Sequence, residues 1–428
     1  MAKILIQNVE ILTDGPDYPK KYIGITDRTI TYIGEAEPAG YEDAYRIDGT
    51  GKIAAAGMVN AHTHIAMTLL RSYADDMALM DWLQNKVWPA EAGLKEGDCA
   101  VGTRLGILEM LQSGTTAFAD MYFFMEETAK VSEEAGIRAC LARGLMGEAY
   151  NKEDERLQEN IRLFHNWHGK ADGRITVMLG PHAPYTCSGD YLRLISDTAK
   201  ELGCGIHIHL SETRQEVKDC LAKNGMTPIQ WADSLGLLDA GCLVAHGVWA
   251  TDREIRLLAA KKARVAHNPQ SNLKLASGIA PVEKMRKQGV VVGLGTDGAT
   301  SNNNLDLLEE TRLAAMLHKT VSYDPLSVPA AEAWDMATRQ GALCLGYENL
   351  GKLEEGFLAD LVLYDMNKPY WHPRHDRMSL LVYAAGAGDA DTVIINGKVV
   401  MEKKEVKTLD AEKIYAEADV VARRLTGK

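Results

Sequence analysis

Met58-Val59-Asn60-Ala61-His62-Thr63-His64-Ile65 is a short run that is half apolar and carries two histidines two positions apart. Alternate residues of a strand point to one side, so both imidazoles would share a face. The run predicts a buried strand, and a helical stretch follows it. The same pairing returns down the chain at Thr115–Asp120, Arg138–Gly144, Ile175–Pro181, Gly205–Ser211, Cys242–His246, Arg264–Asn268 and Val290–Asp297. Apolar strands alternating with helices are the mark of a parallel sheet built from βαβ units. Eight such units over roughly 290 residues suit a (β/α)₈ barrel. A doubly wound sheet would more often show a glycine-rich phosphate turn after its first strand, and none is present.

The flanks read differently. Lys3–Leu12 alternates, Tyr22–Gly34 is rich in Ile and Thr with a turn at Asp27-Arg28, and Tyr45–Ile53 passes through Gly49-Thr50-Gly51. Near the other end, Leu358–Tyr364 and Thr392–Val400 are short β runs, the second with an Asn396-Gly397 hairpin signal. Neither block has enough strands to stand alone, so the two ends are expected to pair into one small discontinuous β domain. The expected organisation is therefore α/β: a distorted barrel over 57–350, and a β domain from 1–56 with 351–428 that ends in an amphipathic helix over Asp410–Leu425. The charged stretch 150–160 predicts a solvated loop or helix start.

Composition narrows the function. With 47 Lys and Arg against 59 Asp and Glu the net charge is −12, and no basic block offsets it, so nucleic acid is a poor partner. The start of the chain breaks off too early for a signal segment, and no stretch of roughly 18 apolar residues occurs. A cytoplasmic protein off the membrane is expected. Cys99, Cys140, Cys187, Cys204, Cys220, Cys242 and Cys344 form no C-x-x-C pair and fit a reducing compartment. A homo-oligomer is compatible with the sequence, which does not specify one.

Seven of the twelve histidines fall in or at the ends of the expected barrel strands, and Asp297 closes the last of these. Barrel enzymes build their sites at the C-terminal strand ends, so this placement reads as chemistry rather than random burial. His62 and His64 end strand one, His207 and His209 share a face of strand five, Glu212 lies just beyond, and His246 ends strand six. Each alone has an ordinary explanation, a satisfied core imidazole or a helix-capping carboxylate. Convergence from different strands on one barrel end predicts a metal site.

Gly57 to His64, Gly180-Pro181-His182-Ala183-Pro184-Tyr185, His209-Leu210-Ser211-Glu212, Ala245-His246-Gly247 and Gly295-Thr296-Asp297-Gly298-Ala299 together resemble the amidohydrolase superfamily. Trp88-Pro89-Ala90-Glu91 and Ser301 to Asp306 are similar to its branch of aminohydrolases and chlorohydrolases. The resemblance spans nearly the whole chain. It implies a distorted barrel with a small β domain drawn from both termini. It also implies that His62, His64, His209 and Asp297 hold one divalent ion, zinc being expected. Two-metal members use a carboxylated lysine at strand four, and Gly180-Pro181-His182 offers none. Three nitrogens and a carboxylate leave one position for water, whose pKa such an ion lowers towards ~7.

The reaction implied is deamination of 5′-thio-substituted adenosines, 5′-methylthioadenosine and S-adenosylhomocysteine, to inosine analogues with release of ammonia. Glu212 would protonate the ring nitrogen, while His246 and Asp297 would take the proton of the attacking water. Among substrate contacts, Glu91 resembles the group gripping the ribose hydroxyls, His182 the histidine bonding the purine, and Arg143 the arginine taking the homocysteine carboxylate. His207 is taken as a neighbour supporting the ligands. A second arginine would fall near Arg156, where the loop spacing departs from the pattern. Trp82 and Trp88 would wall the purine pocket. The alternative keeps the same machinery for another aminated heterocycle: adenosine, guanine, a pterin or a triazine. A non-catalytic metal or nucleoside binder would have to lack Glu212 or the water position.

Overall fold

A computed structural model describes residues 2–13, 15, 17–77 and 79–427. The chain opens with β1 (Lys3–Ile11), β2 (Lys20–Thr26), β3 (Thr29–Gly34), β4 (Tyr45–Asp48) and β5 (Lys52–Ala56). β1 runs antiparallel to β2 and parallel to β4 and β5, and Asp27 makes the β2–β3 turn at positive φ. Ile4, Ile6, Ile23, Ile25 and Ile30 gather into one buried cluster, which is why this alternating sequence pleats here.

The barrel follows. Its strands are β6 (Met58–Thr63), β7 (Thr115–Tyr122), β8 (Arg138–Leu145), β9 (Ile175–Val177), β10 (Gly180–Pro181), β11 (His207–Leu210), β12 (Leu243–His246), β13 (Arg264–His267) and β14 (Val291–Leu294). β6, β7 and β8 pair in parallel, as do β11 to β14, and both β9 and β10 pair with β8. β9 and β10 act as one interrupted fourth stave, a local departure from the ideal barrel. Backbone bonds close the two seams. Leu179 N donates to Gly205 O at 2.9 Å and His209 N to His182 O at 3.0 Å on one side, while Asp297 N donates to His62 O at 3.0 Å on the other. The eight expected strands are thus the eight staves. Every residue of β6, β7, β11 and β12 is buried, as expected where helices cover a parallel sheet.

β15 (Leu361–Asp365), β16 (Ala390–Ile395), β17 (Lys398–Glu402) and β18 (Glu405–Val406) complete the chain's strands. β15 lies antiparallel on β5, with Leu363 opposite Ala54, so the two termini share one sheet in the order β18-β17-β16-β15-β5-β1-β2-β3. Asn396 and Gly397 both turn at positive φ between β16 and β17, the geometry that an Asn-Gly hairpin requires. Arg138 of β8 fastens the barrel to this sheet: its fully buried guanidinium donates to both oxygens of Asp360, at 2.6 and 2.9 Å, and to Asn396 Oδ1 at 2.7 Å. The charged stretch after Leu145 is an exposed loop that ends at Asp154, the cap of the helix Glu155–Trp167. A last helix, Ala411–Thr426, packs on Asp98–Ser113, and its Arg424 bonds Gly93 O at 3.0 Å and Asp98. Among the described residues, no helix is long and apolar enough to cross a membrane. All seven cysteines are buried and free.

Candidate active site

Gly295 sets the geometry at the seam. A Cβ there would lie 2.3 Å from Asn268 Oδ1 and 2.9 Å from the His62 backbone, so only glycine lets the end of β14 approach β6 this closely. Asp297 Oδ1 consequently stands 3.3 Å from His62 Nε2 and 3.3 Å from His64 Nε2, and His209 Nε2 is 3.3 Å from His64 Nε2. One ligand atom from each of His62, His209, His246 and Asp297 falls within 4.8 Å of the others. His64 Nε2, 3.3 Å from both Asp297 and His209, stands beside this group of four. Ser211, His246 and Asp297 all take left-handed backbone, φ 55°, 74° and 60°, at the barrel's catalytic rim. Such strain at strand ends is characteristic of functional sites.

Each ring is oriented from behind. His64 Nδ1 donates to Met121 O at 2.6 Å, His209 Nδ1 to His182 O at 2.8 Å, and His246 Nδ1 to Asn272 Oδ1 at 2.8 Å. His62 Nδ1 meets His207 Nε2 at 2.9 Å, so His207 supports a ring of the cluster. With their Nδ1 atoms engaged, the rings turn Nε2 inward, and His62 Nε2 is buried without a hydrogen-bond partner. Inward imidazole nitrogens beside a carboxylate suit a divalent cation. Burial depresses His62 to about 4 and His209 well below the ordinary imidazole value, keeping both lone pairs free. Burial works against His64 too, but its bond to Asp297 pushes it up to about 9; a cation arriving there displaces that proton. Burial opposes ionisation of Asp297, yet His62 and His64 hold its carboxyl well below the usual range. Its other oxygen accepts from Ser271 Oγ at 2.6 Å and Ser301 Oγ at 3.0 Å.

Glu212 and His246 complete the wall. Glu212 Oε2 is 3.8 Å from His246 Nε2, Ser277 Oγ donates to its Oε1 at 3.3 Å, and burial raises its pKa. The cleft above this centre has Trp82, Leu83, Val87 and Trp88 as an apolar side and Glu91 and His182 as polar points. Glu91 Oε1 accepts from Tyr122 at 2.7 Å, and burial pushes the acid up to about 7. His182, which burial depresses to about 3, bonds Thr186 Oγ1 through Nδ1 at 2.8 Å. Beyond Trp88 and Glu91 an adjoining groove opens, lined by Phe123, Arg143, Glu159 and Arg162.

A model of the amidohydrolase family matches residues 53–400. The chain belongs to the amidohydrolase family. It is 51% identical over 433 residues, with both chains fully covered, to a 5-methylthioadenosine/S-adenosylhomocysteine deaminase of Pelotomaculum thermopropionicum. A protein of the same description from Dictyoglomus thermophilum is 52% identical over 426 residues, again with full coverage of both. Among solved structures, an adenosine deaminase of Xanthomonas campestris with bound zinc superposes with a TM-score of 0.93 at 33% identity, covering 100% of this chain and 99% of that one. This amidohydrolase is a metal-dependent hydrolase acting on C–N bonds.

Around the centre of this amidohydrolase lie residues that sequence reasoning passed over. Ser271 and Asn272 share the short helix Pro269–Lys274 after β13, Tyr122 lies two residues past the expected end of strand two, and Ser301, quoted only as part of the Ser301–Asp306 stretch, had been given no role. The run His267-Asn268-Pro269-Gln270-Ser271-Asn272 at a strand end was the available signal. Glu216 is a further one. Arg156 turns to Asp154 at 2.8 Å, and the groove's cations besides Arg143 are Arg162 and Lys130.

Proposed function

We propose that this amidohydrolase converts 5′-methylthioadenosine and S-adenosylhomocysteine to their inosine analogues by zinc-dependent hydrolytic deamination in the cytoplasm. One observation carries the substrate class: the donor cluster with Glu212 and His246 opens past Glu91 into a groove that holds Arg143. A thio-substituted adenosine has a base, a diol and a tail in that order. The relatives' descriptions and the zinc in the Xanthomonas structure support the same reading.

His62, His64, His209 and Asp297 would hold the ion, which supplies Lewis acidity that brings a water's pKa towards ~7. The residues do the rest. Trp88 and Trp82 exclude water from the purine face, and His182 donates to or accepts from the ring. Glu212, whose pKa burial raises, would donate its carboxyl proton to the ring nitrogen next to the amino-bearing carbon, drawing electron density from that carbon. Asn272 occupies His246 Nδ1, so Nε2 carries the lone pair and accepts a proton of the attacking water. Asp297 shares that role through its Oδ1. The proton passes to the amino group, the C–N bond breaks and ammonia leaves, and the carbonyl forms as the remaining hydroxyl proton returns to Glu212. Ionised Glu91 accepts from both ribose hydroxyls, and Arg143 faces the tail carboxylate.

A panel of 5′-methylthioadenosine, S-adenosylhomocysteine, adenosine, guanine and a chlorotriazine, followed by ultraviolet absorbance as amine becomes carbonyl, tests the reading. Preference for the two thio-nucleosides is expected. Faster turnover of guanine or the triazine, which lack both diol and carboxylate, would overturn it.

A further inference from the structure

Glu216 lies on the helix Arg214–Asn224 and reaches back to the end of β11. Its two carboxylate oxygens are shared out between consecutive amides: Ser211 N donates to Oε1 at 2.9 Å and Glu212 N to Oε2 at 2.7 Å. Its own amide donates to Thr213 Oγ1 at 3.0 Å, so the turn and the helix start are tied in both directions. Ser211 sits at φ 55°, a conformation that costs free energy for any residue with a Cβ and persists only when the surroundings impose it. Glu216 is 7% exposed and Glu212 4% exposed. A buried carboxylate is an expensive way to cap a helix that Thr213 already caps.

We infer that Glu216 is a positioning residue for the acid: by clamping the Ser211 and Glu212 amides it imposes the left-handed turn that aims the Glu212 side chain at His246 and the substrate ring. The inference rests on the reading of Glu212 as the acid. Glu216 touches neither the substrate space nor the donor cluster, so its effect on turnover passes through Glu212. Glutamine is the discriminating replacement. It keeps the volume and one acceptor, but turns an NH₂ towards one of the two amides, donor against donor.

The experiment is a double-mutant cycle on the zinc-loaded, full-length enzyme with 5′-methylthioadenosine: Glu212→Gln, Glu216→Gln and the pair, with kcat, KM, metal content and Tm measured for each. Glu216→Gln is expected to lower kcat by ~10- to 100-fold, the scale of a misplaced group, with KM and metal content unchanged. In the Glu212→Gln background the same change should cost no further rate, because two residues acting as one unit are not additive. A further loss in the double variant that multiplies the two single losses would overturn the inference, as would loss of the metal in Glu216→Gln. If Glu212→Gln alone keeps wild-type kcat, the reading of the acid fails, and that shows in a variant where Glu216 is intact. Should Glu216→Gln not fold, Glu216→Asp, which retains charge but reaches one amide, takes its place in the cycle with the same expected non-additivity.

Discussion

Tyr122 donates its hydroxyl to Glu91 Oε1 at 2.7 Å across the mouth of the catalytic cleft. Burial pushes Glu91 up to about 7, and this bond is the larger of the two influences holding it down. Deleting the hydroxyl therefore raises the pKa further. If ionised Glu91 grips the ribose diol, Tyr122→Phe should raise KM for 5′-methylthioadenosine at neutral pH, and raising the pH should restore it. The sign follows from a raised carboxylate pKa: the binding form is populated above it and lost below it. A KM for the variant that stays high at every pH would mean that Tyr122 holds the wall rather than the charge of Glu91.

Metal loading has a similar internal check. Asp297 presents Oδ1 to the imidazoles only because Ser271 and Ser301 hold Oδ2. Metal analysis should find one ion per chain, and Ser271→Ala should weaken it by ~10- to 100-fold in a chelator competition, the range for partners that orient a ligand. Two ions per chain would break the mononuclear reading.

The clamp between barrel and terminal sheet is the stability hinge. Asp360→Ala leaves the Arg138 guanidinium fully buried with the Asn396 oxygen and the Tyr347 ring but no carboxylate, and removing one partner of a buried pair costs about 3–5 kcal/mol. Chemical denaturation should show that loss, whereas Asp252→Ala, which breaks an exposed pair with Lys284, should leave the denaturation midpoint essentially unmoved.

The parts that were legible in the sequence are those with a period. Eight apolar runs marked eight staves, and histidines two apart on a strand located the centre because the pleat puts them on one face. The fourth stave broke into β9 and β10, a kink without a periodic signature. What could not be read were residues whose role depends on a contact across the fold. Ser271 and Asn272 each look like a helix start, and only the meeting of β12, β13 and β14 reveals that they face Asp297 and His246. Glu216 lies four residues beyond Glu212, a spacing that reads as one more surface carboxylate until the left-handed turn at Ser211 folds it back. Arg156 and Arg162 are six apart on one helix and a sequence does not say which one faces the groove.

Arg143 separates the two thio-nucleosides. Its Nε is held by Glu159 Oε2 at 2.7 Å, its Nη1 by the Gly144 carbonyl, and its guanidinium lies 5.1 Å from the Phe123 ring centre, which leaves Nη2 for a substrate carboxylate in the groove. S-adenosylhomocysteine carries that carboxylate and 5′-methylthioadenosine does not. A charged hydrogen bond contributes roughly 1.5–3 kcal/mol, so Arg143→Met should shift the kcat/KM ratio by about 10- to 150-fold towards 5′-methylthioadenosine. Methionine keeps part of the apolar stem over Phe123 while removing the charge. The variant also frees Glu159 inside the groove, and that unpaired carboxylate repels the tail, which moves the ratio in the same direction; Arg143→Met with Glu159→Gln isolates the attraction. An equal loss for both substrates would make Arg143 a support of the barrel rim, and Arg162, exposed in the same groove, would be the cation to replace next.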